Sequence, residues 1–157
     1  QDGDGITVNF GEGVETIPAF LFYPYFNVPS YAPNIKVVNF SSTVTSIGEQ
    51  TFYNCSGLTE LDLSNCTSLT SIGEWAFYNC SGLTSITLPS SLTNIGWSAF
   101  YDCSGLTTIR IEATTPPTLG NSAIPSNVTT IEVPSASVDA YRSASGWSSH
   151  ASKIVGY

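Results

Sequence analysis

Four cysteines are the residues best suited to chemistry in this chain of 157 residues. Cys55, Cys80 and Cys103 each stand in almost the same octapeptide, FYNCSGLT at 52–59 and 77–84 and FYDCSGLT at 100–107. Residues that recur at a fixed period would stack about one strand spacing apart, roughly 5 Å, which alone would permit a disulfide. A ladder of three cannot pair fully, however, so we interpret these cysteines as reduced thiols in the core. We expect Cys66, in the segment SNCTS, to point inward as well.

The sequence contains no recognisable metal or cofactor motif. The cysteines lack C-x-x-C spacing, and the one histidine, His150, lies far from them near the C-terminus, which argues against a zinc site. The opening QDGDGI has the beginning of a calcium loop but no acidic ligand at the twelfth position. Phosphate-cradling loops are also absent. We therefore predict no metal and no cofactor.

Catalytic arrangements are equally incomplete. A Ser-His-Asp or Cys-His device would have to use His150, and no G-x-S-x-G elbow accompanies it. Glu60 and Asp62 are spaced as two carboxylates on one face of a strand, as in a glycosidase. Their equivalents in the next repeat are Ser85 and Thr87, which favours a solvated face instead. We predict that the protein is not an enzyme.

Composition excludes two further classes of function. Twelve acidic residues against four basic ones give a net charge of -8. This charge repels nucleic-acid phosphates and anionic lipid headgroups. No apolar run approaches the roughly 20 residues that span a bilayer, so no membrane insertion is expected within this chain. The chain contains no methionine, which indicates that something upstream was removed and favours an exported protein.

The elements that would position these side chains follow from a longer repeat around the octapeptide. Three copies are clear: VTSIGEQTFYNCSGLTELDLSNCTS from Val44, LTSIGEWAFYNCSGLTSITLPSS from Leu69 and LTNIGWSAFYDCSGLTTIRIEAT from Leu92. A period of 23–25 residues that contains L-x-x-L-x-L is typical of a leucine-rich solenoid, in which each unit buries its apolar side only by stacking on its neighbours. We therefore predict a β-rich, right-handed superhelix and expect it to be monomeric.

Weaker copies and two end segments complete the organisation. Residues 1–43 read as an N-terminal cap with degenerate repeats, residues 44–134 as leucine-rich repeats, and residues 135–157 as a C-terminal cap. This gives about five turns, and Ile6, Val8 and Phe10 could form the strand of a still earlier one.

Both ends of the stack need closure because a solenoid exposes its core there. The stretch AFLFYPYFNVPSY at 19–31 holds six aromatic residues, which either close the N-terminal end or form an exposed patch for sugar or protein. In the C-terminal segment, Ser135 or Ser137 could cap a short helix whose apolar face is Val138 and Tyr141. Trp147 and a strand-like segment at 153–157 would complete this lid.

The pattern IGxxAFxxCxxLxxIxLP resembles the BspA-like leucine-rich repeats of bacterial surface proteins, which occur in gut and oral anaerobes and some protozoan parasites. The resemblance is strong at 44–112 and looser elsewhere, and the ending from Thr115 is similar to tails that close such arrays. It implies a cell-surface adhesin or scaffold that binds host matrix proteins or neighbouring cells. One fold hosts many functions, so the resemblance does not name a ligand.

Side chains that alternate outward along the stacked strands should form columns on the sheet face. The three predicted columns are Lys36, Thr59, Thr84, Thr107 and Thr129; Val37, Glu60, Ser85, Thr108 and Thr130; and Asn39, Asp62, Thr87, Arg110 and Glu132. The threonines are explained either by strand propensity and cross-strand pairing or by a ligand. The more varied positions are the binding candidates on this face, namely Asn39, Glu60, Asp62, Thr87, Arg110 and Glu132. Arg110 and Glu132 could equally pair with each other.

A second candidate surface is aromatic. A tyrosine follows each repeated phenylalanine, and two tryptophans occupy variable positions of I-G-x-x-A-F; the candidates are Tyr53, Trp75, Tyr78, Trp97 and Tyr101. Tyrosine and tryptophan concentrate in interfaces. These rings could either cover the outer face by packing over adjacent turns or form an exposed row that binds an extended glycan or protein.

We therefore predict an exported, non-enzymatic surface module that binds host or neighbouring-cell proteins. The alternatives are a carbohydrate-binding module that uses the tyrosine and tryptophan rows, and a structural spacer without a ligand.

Overall fold

A computed structural model describes residues 5–23 and 34–157 of the chain. The described residues contain twelve strands, one α-helix and two 3-10 segments. In chain order the strands are β1 (Ile6–Asn9), β2 (Thr16–Ile17), β3 (Ile35–Asn39), β4 (Ser46–Ile47), β5 (Glu60–Asp62), β6 (Ser71–Ile72), β7 (Ser85–Leu88), β8 (Asn94–Ile95), β9 (Thr108–Ile111), β10 (Thr118–Leu119), β11 (Thr130–Val133) and β12 (Ile154–Gly156). The helix α1 spans Val138–Ser143, and the 3-10 segments span Ser135–Ser137 and Ser148–Lys153.

The strands form two parallel sheets whose order follows the repeat. The first sheet runs β1-β3-β5-β7-β9-β11-β12 and the second runs β10-β8-β6-β4-β2, so each turn adds one longer strand to the first sheet, and the first five turns add a two-residue strand to the second. The strand β1 supplies the still earlier turn suggested by Ile6 and Val8. The architecture confirms the predicted β-rich leucine-rich solenoid.

The core consists of the inward positions of successive turns. Phe52, Phe77 and Phe100 are fully buried and stacked, with ring centroids 5.2 and 5.4 Å apart and nearly parallel planes. The leucines and isoleucines of L-x-x-L-x-L and the repeat cysteines lie beside them in one continuous cluster that runs from Ile17 to Ile154. Burying a side chain of this size contributes about 1.5–3 kcal/mol, and no single turn could bury these groups alone.

Glycines let the turns approach closely. A Cβ built on Gly96 would lie 2.6 Å from the carbonyl carbon of Gly73 and 2.6 Å from the amide nitrogen of Glu74. No side chain fits at this distance, because the neighbouring atoms belong to the backbone of the preceding turn. The I-G step of the repeat therefore reflects backbone packing between turns.

The C-terminal segment closes the stack much as predicted. Tyr141 and Trp147 are fully buried and packed edge to face, and β12 pairs with β11 as the last strand of the first sheet. The strand begins at Ile154 rather than at residue 153. The expected serine cap of α1 is wrong in one respect: Ser137 precedes the helix but makes no side-chain cap, because its backbone is already helical after the preceding 3-10 segment.

At the N-terminal end, Phe22 stacks on Phe52 at 5.3 Å. Residues 24–31 of the predicted aromatic closure, and most of the QDGDGI segment, lie outside the described residues. The division into these three regions stays a prediction.

Candidate binding surfaces

The outward column of the first sheet forms in the predicted register. Asn39 pairs with Asp62, Asp62 with Thr87, Thr87 with Arg110, and Arg110 with Glu132. Because the strands are parallel and in register, five different side chains stand side by side across the sheet. We call this surface the strand face, and Glu60 lies in the adjacent column, paired with Val37.

Arg110 is held in place by two neighbours. Its Nη1 lies 3.4 Å from Oε2 of Glu132, and its guanidinium carbon lies 3.5 Å from the ring centroid of Tyr157. The side chains of Arg110 and Glu132 remain 38 % and 34 % exposed, so this pair is partly solvated and contributes little to stability. Sequence reasoning anticipated the ion pair but missed Tyr157, whose only signal was an aromatic residue at the end of the predicted closing strand.

The other end of the strand face is acidic and slightly concave. Glu60 and Asp62 are both exposed and border a depression of about 280 Å³ that Asn39 and Ser85 also line. The depression lies where β5 and β7 pair only between Asp62 and Thr87. It follows that the strand face carries negative charge at one end and a fixed guanidinium toward the other.

The threonine column has a structural role. The hydroxyls of Thr59, Thr107 and Thr129 donate to backbone carbonyls of the preceding turn, at 3.4, 3.3 and 3.3 Å. Each hydroxyl therefore has a partner on its own scaffold. These bonds between turns favour a structural reason over a ligand for Thr59, Thr107 and Thr129.

The predicted tyrosine row is a stack. The rings of Tyr53 and Tyr78 are 4.6 Å apart and nearly parallel, those of Tyr78 and Tyr101 are 5.6 Å apart, and Tyr23 packs against Tyr53 at 5.1 Å. Inner rings thus cover one another's faces and offer mainly their edges to solvent. Tyr101, the last ring, is 46 % exposed.

The two tryptophans are neighbours but are not equivalent in the repeat. The amide of Trp75 donates to the carbonyl of Trp97, and that of Gln50 donates to the carbonyl of Glu74, so Trp97 corresponds to Glu74 and Trp75 to Gln50. Their rings lie 4.9 Å apart and tilted by 51°, and Trp97 is 47 % exposed. The aligned repeats already contain this offset, because Trp75 is the second variable residue of I-G-x-x-A-F and Trp97 is the first; grouping the two tryptophans as one set overlooked it.

The cysteines are free and fully buried, as predicted. Burial raises the pKa of the Cys55 thiol to about 12, and burial together with the charge of Asp62 raises that of Cys66 to about 11. Burial, followed by the contact with Cys103, raises the pKa of Cys80 well above its ordinary value. Thiols in this state are poor nucleophiles and poor metal ligands.

His150 lies in the C-terminal 3-10 segment and lines a depression of about 540 Å³ together with Tyr101 and Lys153. Burial and the nearby Lys153 charge lower the pKa of His150. Within the described residues, no group of three or more His, Cys, Asp or Glu side chains is arranged to hold a metal ion. None of the helices described there is long and apolar enough to cross a bilayer.

Comparisons with known proteins agree with this architecture. A family model described as "BspA type Leucine rich repeat region (6 copies)" matches residues 27–144, more than half of the chain. A leucine-rich repeat protein from Bacteroides ovatus is 22 % identical and superposes with a TM-score of 0.50, and the match covers 96 % of this chain and 42 % of that one. A leucine-rich cell surface protein from Faecalibacterium prausnitzii is 21 % identical with a TM-score of 0.38, and its match covers 96 % and 47 %.

The chain thus spans less than half the length of these two solved structures. The likeness to the Bacteroides ovatus protein shows a shared fold. No curated protein matches the chain.

Proposed function

This chain belongs to the family of BspA-type leucine-rich repeat proteins, and on that premise we propose that it is a non-enzymatic interaction module of an exported bacterial surface protein. Its ligand is another protein, from a host matrix or a neighbouring cell, and the strand face is where that protein binds. The carrying observation is the in-register column of Asn39, Asp62, Thr87, Arg110 and Glu132 across parallel strands.

The strand face supports this proposal because its side chains differ from turn to turn. The threonine column on the same sheet repeats one residue type, and the hydroxyls of Thr59 and Thr107 donate to backbone carbonyls. The third column instead presents amide, carboxylate, hydroxyl and guanidinium groups in succession. Varied polar groups on a rigid sheet can recognise one partner among many.

Arg110 is the expected centre of the interface. Stacking on Tyr157 and pairing with Glu132 restrict its long side chain before any partner arrives, so little rotamer entropy is lost on binding. Arginine and tyrosine are also enriched among residues that dominate interface energies. The matching partner presents a basic group to Glu60 and Asp62 and an acidic or planar polar group to Arg110.

The test is an array of purified extracellular-matrix proteins probed with the domain and with Arg110→Ala and Asp62→Ala variants. We expect at least one protein to bind, with affinity reduced about tenfold or more by Arg110→Ala, which corresponds to about 1.4 kcal/mol. Binding through the acidic end predicts a smaller, salt-sensitive reduction for Asp62→Ala.

Asp139→Asn is the control because it removes an exposed charge from helix α1 at a residue that belongs to none of the columns of the first sheet. It should leave the affinity unchanged. Equal binding by Arg110→Ala and the unmodified domain would exclude the strand face, and an array without any bound protein would favour the spacer interpretation.

A further inference from the structure

Three depressions with shared lining residues lie side by side along the last turns, and the second and third also border the C-terminal segment. The first, of about 370 Å³, shares Leu119 and Gly120 with the second, of about 330 Å³. The second shares Ser122, Ser149 and His150 with the third, of about 540 Å³. Each is within or close to the size range of small-molecule sites, and together we call them the cap groove.

An exposed aromatic ring stands at each end of the cap groove. Trp97 lines the first depression and Tyr101 lines the third, and the two rings are 47 % and 46 % exposed. The residues that would stack on them from the next turn are replaced there: the hydrogen-bond register aligns Asn121 with Trp97 and Pro125 with Tyr101. We call the stacked tyrosines and the tryptophan pair the aromatic ladder. Its last rings, Trp97 and Tyr101, have no aromatic neighbour on the next turn and remain open to a ligand.

The groove also contains polar side chains that make no hydrogen bond with the described part of the protein. Within the described residues, the side chains of Glu74, Asp102, Asn121 and Ser122 and the indole N–H of Trp97 make no hydrogen bond. Glu74 lies in the first depression beside Trp97, Asn121 and Ser122 lie in the second, and Asp102 lies in the third beside Tyr101. Donors and acceptors therefore accompany each ring.

The floor of the first depression is backbone. Gly73, Gly96 and Gly120 line it, and a Cβ on Gly120 would lie 2.4 Å from the amide nitrogen of Trp97. Side chains cannot fill this floor without displacing the adjacent turn. Hence the depression is kept open by the same packing that holds the solenoid together.

Charges in the groove disfavour an anionic ligand. Lys153 is the cation that lines the groove, and one of its N–H groups donates to the carbonyl of Ser126 at 3.1 Å; burial and the Lys153 charge lower the pKa of His150, so its imidazole adds no second positive charge at pH 7. The two carboxylates of Glu74 and Asp102 outnumber this single ammonium, and the net negative charge opposes phosphate, sulfate and acidic sugars. A ligand rich in hydroxyl groups and with an apolar ring face remains compatible with every one of these features.

We propose that the cap groove binds a neutral oligosaccharide, with sugar rings packed on Trp97 and Tyr101 and hydroxyl groups hydrogen-bonded to Glu74, Asp102, Asn121 and Ser122. This site is separate from the strand face, so it adds a second ligand class to the module. It also places carbohydrate recognition at the end of the aromatic ladder rather than along the self-stacked tyrosines.

The experiment screens a glycan array with the purified domain and then measures bound neutral oligosaccharides by isothermal titration calorimetry. The variants are Trp97→Asn, which installs the residue of the next turn, and Tyr101→Ser. Tyr53→Ser is the matched control, since it makes the same change at the equivalent position of a turn far from the groove. Circular dichroism of each variant checks that it is folded.

We expect neutral glycans to bind, with affinity at least tenfold lower in Trp97→Asn and in Tyr101→Ser and unchanged in Tyr53→Ser and Arg110→Ala. The proposal is overturned by an array without neutral glycans bound, by binding only of sulfated or sialylated glycans, or by ring variants that bind as the unmodified domain does. Arg110→Ala tests the strand face alone, so its effect on matrix-protein binding does not bear on glycan binding by the cap groove.

Discussion

The repeated cysteine holds the backbone of the turn before it. Cys80 donates its S–H to the carbonyl of Phe52 at 3.3 Å, and Cys103 donates to that of Phe77 at 3.0 Å. The last turn has no cysteine. There the side-chain amide nitrogen of Asn127 (Nδ2) also bonds the backbone of the preceding turn, by donating to the carbonyls of Cys103 and Leu106. The thiol is therefore a small buried donor whose proton the fold requires.

A second residue of the octapeptide has a conformational role. Asn54, Asn79 and Asp102 all have positive φ, at 62°, 53° and 60°. Asparagine and aspartate tolerate this left-handed backbone better than other side chains, and Asn79 also donates to the side chain of Asn54 at 3.0 Å. The Asn or Asp that recurs in the octapeptide therefore favours a bend that directs the chain to its next strand.

Protonated buried thiols make stability depend on alkaline pH. An unfolded cysteine ionises near pH 9, whereas the pKa of Cys66 in the fold is about 11 and that of Cys55 about 12. Above pH 9 the unfolded state binds fewer protons than the native state, so the free energy of unfolding falls as pH rises. Each thiol contributes up to about 1.4 kcal/mol per pH unit in this window. Urea unfolding between pH 8 and 11 under reducing conditions measures the slope.

Cys55→Ala tests this assignment through the slope of the free energy of unfolding against pH, which does not depend on the absolute stability of the variant. Its cavity lowers the free energy of unfolding at every pH, while the decline between pH 9 and 11 becomes shallower. Tyr141, whose pKa burial also raises, adds a tyrosine contribution that is common to both proteins. An unchanged slope in the variant would contradict the assignment of Cys55.

At the scale of elements, the spacing between turns is set by backbone contact. Gly73 and Gly96 bring the short strands β6 and β8 together with no side chain between the turns that follow them. The stacked phenylalanines, about 5 Å apart, match the same spacing from the core side. Both the sheet and the core therefore require one fixed rise per turn.

A Gly96→Ala substitution should disturb this rise. The added methyl group meets backbone atoms of Gly73 and Glu74, which cannot rotate away, so we expect the free energy of unfolding to fall by about 1–3 kcal/mol or more. Chemical denaturation monitored by tryptophan fluorescence measures it. Gly11→Ala is the control, because a Cβ at Gly11 meets nothing within 4 Å; it should change stability by less than about 1 kcal/mol. A loss in Gly96→Ala as small as that in Gly11→Ala would mean that the turn spacing tolerates a side chain.

The sequence predicts these elements well because identical turns impose one register. Aligning the repeats was enough to pair Asp62 with Thr87 and Thr87 with Arg110. It could not place Tyr157 on Arg110, since that contact depends on the path of a closing segment that does not repeat. The second and third depressions of the cap groove were unpredictable for the same reason, because one wall comes from the repeats and the other from residues near His150.

At the scale of the whole molecule, each turn contacts only its neighbours, so stability is distributed along the stack. The C-terminal segment protects the final turn. Trp147 donates its indole N–H to the carbonyl of Pro117 at 2.7 Å, and Tyr141 donates its hydroxyl to that of Ala113 at 2.8 Å. Both carbonyls lie in the segment between β9 and β10. The C-terminal segment therefore supplies hydrogen-bond donors to these two carbonyls and also covers the core.

Trp147→Ala tests whether this protection is local. Removing the ring leaves a large cavity and deprives the Pro117 carbonyl of its donor, so we expect a loss of about 3–5 kcal/mol in the last turns. In a stack of nearest-neighbour contacts, amide hydrogen exchange should accelerate first in β10, β11 and β12, while β3 and β5 keep most of their protection. Trp97→Asn, which removes an exposed indole, should leave exchange in these strands nearly unchanged. Uniform acceleration from β1 to β12 would instead show that the solenoid opens as one cooperative unit and that the closing segment stabilises every turn equally.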